Sequence, residues 1–315
     1  ILFCLPVCAE VEPDIRLTTN IYQTDGDTNE FTLILGAVDG KTGNAKVVCS
    51  GGVQSEVELI TAYYDEELST LMATNILCQV DEQGYVEVYL DEGVEVDYIY
   101  CEGTEITSLT VKHPETIDIL SLEYNSLEQM DLTAYTNLSA LYLKGNPFDK
   151  KPLIVGADKP YLQILDLSLV DNLDISFDIT TYPRLLSFVA YSTPSMVHLN
   201  PTNCRSLLQL SIDNTSVSGL DLRNNAELRI LNISETRIEN IDLSPCPKLE
   251  QLYCTHMSWF NSDIKLKNLD VTCCPDLLCL AANHNNLTSI DVSKCPKLTD
   301  IYLHYNHMTS IDLSN

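Results

Sequence analysis

The sequence predicts a parallel β-solenoid of about ten coils that follows a small β-rich N-terminal domain. The segment from Leu277 to Asn315 contains two copies of one unit, and Leu280 of the first copy aligns with Ile301 of the second at a spacing of 21 residues. Apolar residues recur at the same offsets through roughly two thirds of the chain, and a fixed period near 20 residues is typical of a solenoid. With 315 residues, the chain is too long for one ordinary core but suits stacked coils.

The first nine residues, ILFCLPVCA, have the apolar character of the end of a signal peptide, with Val7-Cys8-Ala9 as the cleavage site. This interpretation predicts an exported protein, either secreted or held at the cell surface. Leu5 to Cys8 is also similar to a lipoprotein cleavage sequence, although Val7 stands where a small residue is usual. A lipid anchor at Cys8 and an ordinary apolar strand are therefore the two alternatives.

Residues 10–93 show no repeat and are predicted to form the β-rich domain. Four segments have the apolar runs or the alternation of strands. They are Phe31 to Val38, Lys46 to Cys49, Val53 to Ile60 and Tyr85 to Leu90. Tyr64 to Leu77 is predicted as the one helix. Because a solenoid exposes an edge strand at each end, we expect this domain to cover the first coil, which begins at Val94.

Residues 94–315 are predicted to form the solenoid, with one short strand and one turn in each coil and no room for a long helix. The first inward-facing apolar residue of each strand recurs regularly. These residues are Ile99, Leu120, Leu141, Leu165, Phe188, Leu210, Leu231, Leu252, Leu280 and Ile301. The longest step contains Trp259 and Phe260, which we interpret as an insertion after a strand. The sequence ends in mid-coil at Asn315, so either the solenoid continues beyond this residue or another surface covers the last coil, which we otherwise expect to fray.

The pattern L-x-x-L-x-L-x-x-N-x-L in these coils resembles that of leucine-rich repeat proteins. The added segments [LI]-D-[LV]-S and C-P-x-L resemble the internalin-like repeats of bacterial surface proteins. The resemblance implies an α/β-type leucine-rich repeat solenoid with a concave parallel sheet and few or no helices, and it implies adhesion or host interaction. The asparagine position departs from the pattern in several coils, where Thr104, Thr215, Thr236 and Met257 occupy it.

Composition limits the classes of partner. The formal net charge of −27 argues against nucleic acid and anionic membranes, because both attract clustered Lys and Arg. No stretch is long and apolar enough to predict a transmembrane segment. The later cysteines recur at repeat positions, which predicts buried free thiols rather than disulfides or a zinc site. The residues that share one such position are Cys204, Cys246, Cys274 and Cys295.

No catalytic motif is present, so we predict a protein that is not an enzyme and needs no cofactor. One repeat position carries a column of carboxylates that could bind calcium, but we expect each to accept N–H bonds in its own turn. These are Asp131, Asp221, Asp242, Asp270, Asp291 and Asp312. His256 and His284 share another repeat position near His304. They could bind a metal, but surface histidines are the expected interpretation.

The outward-facing strand positions mix tyrosines with acids, which is typical of recognition surfaces. We predict that this concave face binds a protein or a glycan. The predicted site residues are Tyr142, Tyr191, Tyr253, Tyr302, Asp166, Asp213 and His304. The four tyrosines are expected to form one column. A structural scaffold or spacer in an envelope assembly is the alternative, in which tyrosine only reflects a preference for strands.

Overall fold

The computed structural model of the chain describes residues 11–21, 29–65, 70–170, 172–174, 177–257, 265–309 and 311. The predicted signal-peptide end and the insertion with Trp259 and Phe260 lie outside these residues. The described part contains nineteen strands, 3₁₀ turns at Pro114–Thr116 and Ile179–Thr181, and no α-helix. Among the described residues, no helix has the length and hydrophobicity needed to cross a membrane.

Eight strands precede the first coil. They are β1 (Ile15–Thr19), β2 (Glu30–Ala37), β3 (Gly43–Cys49), β4 (Gln54–Leu59), β5 (Tyr63–Asp65), β6 (Thr70–Met72), β7 (Thr74–Gln79) and β8 (Tyr85–Leu90). The four strands predicted from the sequence correspond to β2, β3, β4 and β8 and are confirmed. Burial alternates along β2 and β3, because successive side chains of a strand point to opposite faces.

The predicted helix at Tyr64 to Leu77 is wrong, since its described residues lie in β5, β6 and β7. In β7, Ile76 and Cys78 are buried, whereas Leu77 between them is 64% exposed. This alternation has the period of a strand, and β7 pairs antiparallel with β2 over six residue pairs. The pairing with β2 overrides any helical preference of this segment, as tertiary context commonly does for short apolar runs.

The remaining strands begin at the first coil. They are β9 (Val96–Tyr100), β10 (Ile106–Val111), β11 (Ile119–Ser121), β12 (Ala140–Tyr142), β13 (Ile164–Asp166), β14 (Ser187–Val189), β15 (Gln209–Ser211), β16 (Ile230–Asn232), β17 (Gln251–Tyr253), β18 (Cys279–Ala281) and β19 (Asp300–Tyr302). All except β10 stack in parallel in chain order. The register sets Ile99 beside Leu120, and each later predicted residue beside the next, as far as Ile301. The predicted solenoid and its register are confirmed.

The sheet of the solenoid continues into the N-terminal strands. On its outer side β9 pairs antiparallel with β2, which in turn pairs with β7. A second sheet has the order β10-β1-β8-β3-β4, so β10 pairs with β1 although it follows β9 in the chain. Leu33 and Leu35 of β2 are fully buried in a core that continues into the coils. The N-terminal strands therefore cover the edge that β9 would otherwise expose.

Buried asparagines connect neighbouring coils. The side chain of Asn125 accepts hydrogen bonds from the N–H groups of Thr104 (3.0 Å) and Ile106 (3.0 Å) in the preceding coil. In two coils where threonine replaces asparagine, the hydroxyl donates to the backbone carbonyl three residues earlier: Thr215 to Ile212 at 2.8 Å and Thr236 to Ile233 at 2.7 Å. Threonine hydroxyls therefore replace part of the asparagine network.

The predicted free thiols are confirmed for the described cysteines, which form no disulfide. The four at the shared repeat position are buried, and their burial raises the pKa of the Cys204 and Cys246 thiols to about 12. Cys204 donates to the carbonyl of Ile179 at 3.2 Å, and Cys295 donates to that of Val271 at 3.3 Å. These thiols fill the core and link successive coils.

Candidate recognition surface

The parallel strands place alternate side chains in the core and on the outer face of the sheet, which we call the concave face. Tyr142, Tyr253 and Tyr302 occupy one column on this face, directly after the first core residue of their strands. Tyr191 does not belong to this column, and its predicted position is wrong. The register places Val189 beside Asp166 in the column, because Tyr191 comes three residues after the core residue that opens its strand and Tyr142 only one.

The amino-terminal half of the concave face carries a cluster that we call the acidic–tyrosine patch, formed by Tyr100, Glu102, Glu123, Tyr142 and Asp166. The Tyr100 hydroxyl donates to the Glu102 carboxylate at 2.5 Å. Burial, and then the charges of Asp166 and Glu102, raises the pKa of Glu123. Burial also raises the pKa of Tyr142, together with the charges of Glu123 and Asp166. The patch therefore concentrates negative charge around a half-buried tyrosine ring.

Lys144 lies beside this patch and is held between two rings. Its ammonium nitrogen is 5.0 Å from the ring centroid of Tyr124 and 5.0 Å from that of Tyr191, within the range of a cation–π contact. Gly145 makes room for this arrangement, since a Cβ atom there would stand 2.8 Å from Cδ1 of Tyr124. The structure thus brings Tyr191 to the acidic–tyrosine patch through Lys144.

Asp166 and Asp213 have neutral partners on the face. Asp166 accepts the N–H of Ser168 at 2.9 Å. Asp213 accepts the side-chain amide of Asn232 at 3.0 Å, and burial raises the pKa of its carboxyl. Asp213 lies two coils beyond Asp166, so the structure does not gather all the predicted site residues at one place.

The carboxyl-terminal end carries a second cluster, which we call the histidine–tyrosine patch: Tyr253, His284, Tyr302, His304 and Tyr305. The ring of His284 stacks on Tyr305 with 4.2 Å between centroids and meets His304 edge-on at 5.6 Å. Tyr305 is 73% exposed and Tyr302 is 48% exposed. Three of the predicted site residues, Tyr253, Tyr302 and His304, lie in this patch.

Tyr124 and Tyr305 were missed by the site prediction. Both have positive φ angles, of 52° and 58°, at the position that follows the strand. Glycine occupies the same repeat position at 103 and 145, also with positive φ. Glycine at this repeat position in two coils is the sequence signal that could have drawn attention to Tyr124 and Tyr305, which have the same positive φ.

The candidate metal ligands have other roles in the structure. His256 is buried rather than on the surface, and its burial lowers the pKa of the imidazole to about 4. Within the described ranges, no three or more His, Cys, Asp or Glu side chains are grouped so that they could hold a metal ion.

The column of aspartates on the turns behaves as expected from the sequence. In each described member, one carboxylate oxygen accepts the backbone N–H two residues later, as at Asp242 with Ser244 (2.9 Å) and Asp270 with Thr272 (2.9 Å). The same bond is present at Asp131, Asp221 and Asp291. The hydroxyl of the residue two positions later, and then this backbone N–H, lowers the pKa of the Asp131, Asp242 and Asp270 carboxyls. Asp312 lies outside the described residues.

Asp97 gives the amino-terminal end of the sheet a stability that depends on pH. Burial, and then the charge of Asp118, raises the pKa of the Asp97 carboxyl from 3.8 to about 6. Between these values the folded chain binds more protons than the unfolded chain, so its stability falls as the pH rises through the window. We expect Asp97→Asn to raise the Tm at about pH 7.5 and to change it much less near pH 4.

Thermal unfolding at the two pH values measures this effect of Asp97→Asn. Glu58→Gln is the matched control, because Glu58 is exposed on β4; it should change the Tm little at either pH. An Asp97→Asn variant with the Tm of the parent near pH 7.5 would contradict the assignment.

Comparison with known proteins shows similarity of structure rather than of sequence. No family model matches the chain, and no curated protein matches it. A leucine-rich repeat protein of Leptospira interrogans is 20% identical, with 63% of this chain and 55% of that chain covered and a TM-score of 0.54. The match therefore spans little more than half of the Leptospira protein.

Two Listeria monocytogenes proteins are also similar. An internalin C2 is 16% identical, with 63% of this chain and 82% of that chain covered and a TM-score of 0.45. The functional domain of InlJ, which includes a cysteine ladder, is 18% identical, with 70% and 67% covered and a TM-score of 0.34. The register of the coils and the Leptospira structure together show that this chain has the leucine-rich repeat fold.

Proposed function

We propose that the chain is a non-enzymatic recognition module that binds a protein partner through its concave face. The observation that carries this proposal is the acidic–tyrosine patch. On a face that points away from the core, the carboxylates of Glu123 and Asp166 act on Tyr142, and that of Glu102 acts in turn on Glu123. Like charges held together at a half-buried position lower the stability of the fold, and such costs are typical of functional sites.

The aromatic residues of the face support the same proposal. Tyr124, Tyr302 and Tyr305 are between 45% and 73% exposed. Tyrosine offers a large contact area and a hydroxyl while losing little side-chain entropy, which suits it to protein interfaces. A leucine-rich repeat fold presents these rings on one continuous sheet, although the fold alone does not define a function.

The proposal includes a location and a domain organisation. We propose export to the cell surface or the medium of a bacterium, in line with the apolar segment at residues 1–9 and the net charge of −27. We also propose that residues 10–93 serve as a capping domain and residues 94–315 as the recognition solenoid.

Tyr142→Ala is expected to weaken binding of the partner by about 2 kcal/mol, roughly 30-fold in Kd, because a central interface ring is removed. The partner is first identified by screening the purified protein against panels of extracellular proteins and glycans. Binding of the hit to the parent and to the variant is then measured by calorimetry. Circular dichroism and the Tm establish that the variant is folded.

The matched control for Tyr142→Ala is Tyr64→Ala, which removes a 61% exposed ring on β5, outside the parallel strands of the solenoid. It should leave binding unchanged. Unchanged binding by a folded Tyr142→Ala variant would place recognition elsewhere, for instance at Trp259 and Phe260. If neither tyrosine variant changes partner binding, and removal of the chain affects only the formation of an envelope assembly, the scaffold alternative is correct. A hit confined to glycans would reject the protein partner.

A further inference from the structure

We propose that the partner segment bound by the acidic–tyrosine patch is a cationic protein segment, with closely spaced lysine or arginine side chains in an extended conformation. This inference rests on the proposed function and specifies the chemistry of the partner. It is drawn from three features of the face: an internal cation between two rings, an excess of negative charge, and strand-like spacing of the acids.

The first feature is Lys144, whose position shows what this face can hold. Its ammonium group lies at 5.0 Å from the ring centroids of both Tyr124 and Tyr191. The negative faces of tyrosine rings attract such a group, and guanidinium groups bind in the same way. A lysine of the chain itself thus serves as an internal example of a cation bound by the concave face.

The second feature is charge that Lys144 does not neutralise. None of the ion pairs among the described residues includes Glu102, Glu123 or Asp166. The hydrogen-bond donors to Glu102 and Asp166 are neutral, namely the Tyr100 hydroxyl and the Ser168 N–H. Three carboxylates with one nearby ammonium leave an excess of negative charge, which incoming cations would relieve.

The rest of the concave face supports the same partner. On the ten parallel strands and the two residues after each, the outward positions carry the carboxylates of Asp213 and Asp300 in addition to those of the patch, and Lys144 is the single lysine among them. A second copy of this chain would bring another acidic face and a charge of −27, so it is disfavoured. Anionic partners are disfavoured for the same reason.

The third feature is spacing. Glu102 and Glu123 lie on neighbouring coils, since the N–H of Gly103 donates to the carbonyl of Glu123 at 3.0 Å. Neighbouring strands are about 4.8 Å apart, and alternate residues of an extended segment are about 6.8 Å apart. Long, flexible lysine or arginine side chains at alternate positions can therefore reach successive carboxylates across the strands.

The test uses a fluorescent decapeptide of alternating lysine and serine, with a glutamate–serine decapeptide of the same length as the reversed control. Binding to the full chain is measured by fluorescence anisotropy at about 0.15 M salt, where long-range attraction is screened. We expect the lysine peptide to bind and the glutamate peptide not to bind. The double variant Glu123→Gln/Asp166→Asn should raise the Kd for the lysine peptide at least tenfold.

The matched control is Glu56→Gln/Glu58→Gln, which removes two exposed acids from β4. Its net charge equals that of the Glu123→Gln/Asp166→Asn variant. It should change the Kd less than twofold. Equal effects of the two double variants would show that only the overall charge attracts the peptide and would overturn the proposal. So would failure of the lysine peptide to bind the parent.

Lys144→Gln gives an independent result of opposite sign. It removes the internal cation and leaves Tyr124 and Tyr191 free for a cation of the peptide, so the Kd should fall at least threefold. A Kd that rises or stays the same would contradict the proposal even if the double variant fails to fold. If Tyr142→Ala abolishes binding of a natural partner while Glu123→Gln/Asp166→Asn does not, concave recognition stands and the cationic partner is rejected.

Discussion

A chain that begins at Val94 is expected to aggregate or to lose cooperative unfolding. The deletion removes β2, which supplies the hydrogen-bonding partner of β9, and β1, which supplies that of β10. It also uncovers Ile99 and Ile106, which are fully buried in the intact chain. An unpaired strand edge above exposed apolar side chains favours association with other chains. Each coil depends on its neighbours, so the loss is expected to propagate along the solenoid.

Light scattering and urea unfolding of the truncated and intact chains measure this outcome. Single changes at the same interface separate the role of the cap from the loss of length. Leu35→Ala removes a fully buried side chain of β2 and is expected to cost about 2–5 kcal/mol. Leu77→Ala on β7 changes a side chain that is 64% exposed and should cost about 0.5 kcal/mol or less.

A soluble fragment from Val94 onward with one sharp unfolding transition would contradict the proposed capping role. A Leu35→Ala variant as stable as the Leu77→Ala control would contradict it independently, because it would show that the contact between β2 and the first coils contributes little.

The register of the coils could be predicted from the sequence because a solenoid is built from local repetition. Leu120 and Leu141 are 21 residues apart in the chain, and they are direct neighbours in the sheet. The N-terminal strands lack such repetition, and their pairings join distant segments, as when Arg16 meets Thr110. Nothing in the local sequence of Tyr64 to Leu77 reveals that β2 is available as a partner, so the prediction of a helix there fails.

Only part of the candidate site could be predicted from the sequence, again because local patterns are visible there and contacts between distant residues are not. The sequence places Tyr142, Tyr253 and Tyr302 on the concave face because strand alternation is strict. It does not show that the face divides into two clusters, because that division depends on which side chains on neighbouring coils lie close enough to interact. The sandwich of Lys144 between Tyr124 and Tyr191 joins residues of three coils, each of them beyond the end of its strand.

Asn146→Ala is expected to destabilise the chain by about 3 kcal/mol or more, because it leaves three buried backbone groups without partners at about 1 kcal/mol or more each. The Asn146 side chain is fully buried. Its oxygen accepts the N–H of Leu127 at 3.1 Å, and its amide group donates to the carbonyls of Leu122 at 2.8 Å and Leu143 at 2.9 Å. These bonds connect two coils and position the turn between them.

Asn146→Thr tests the reason for this effect. In two other coils the threonine at this position donates to the carbonyl three residues earlier, as Thr236 does to Ile233 at 2.7 Å. The variant should keep the bond to Leu143 and lose the bonds to Leu122 and Leu127, so its stability should lie between those of the parent and the alanine variant. Asn224→Ala is the surface control, since Asn224 is exposed and makes one bond, to the Thr202 carbonyl.

Urea unfolding, with the slope of the transition checked for constancy, gives the free energy of unfolding for the four proteins. We expect the order parent, Asn224→Ala, Asn146→Thr and Asn146→Ala, with the control within about 0.5 kcal/mol of the parent. Equal losses for the threonine and alanine variants would show that threonine does not take over part of the asparagine's role. A loss of unfolding free energy below about 1 kcal/mol for Asn146→Ala would show that water satisfies the three backbone groups. The hydrogen bonds between strands would then be the ones that chiefly hold neighbouring coils together.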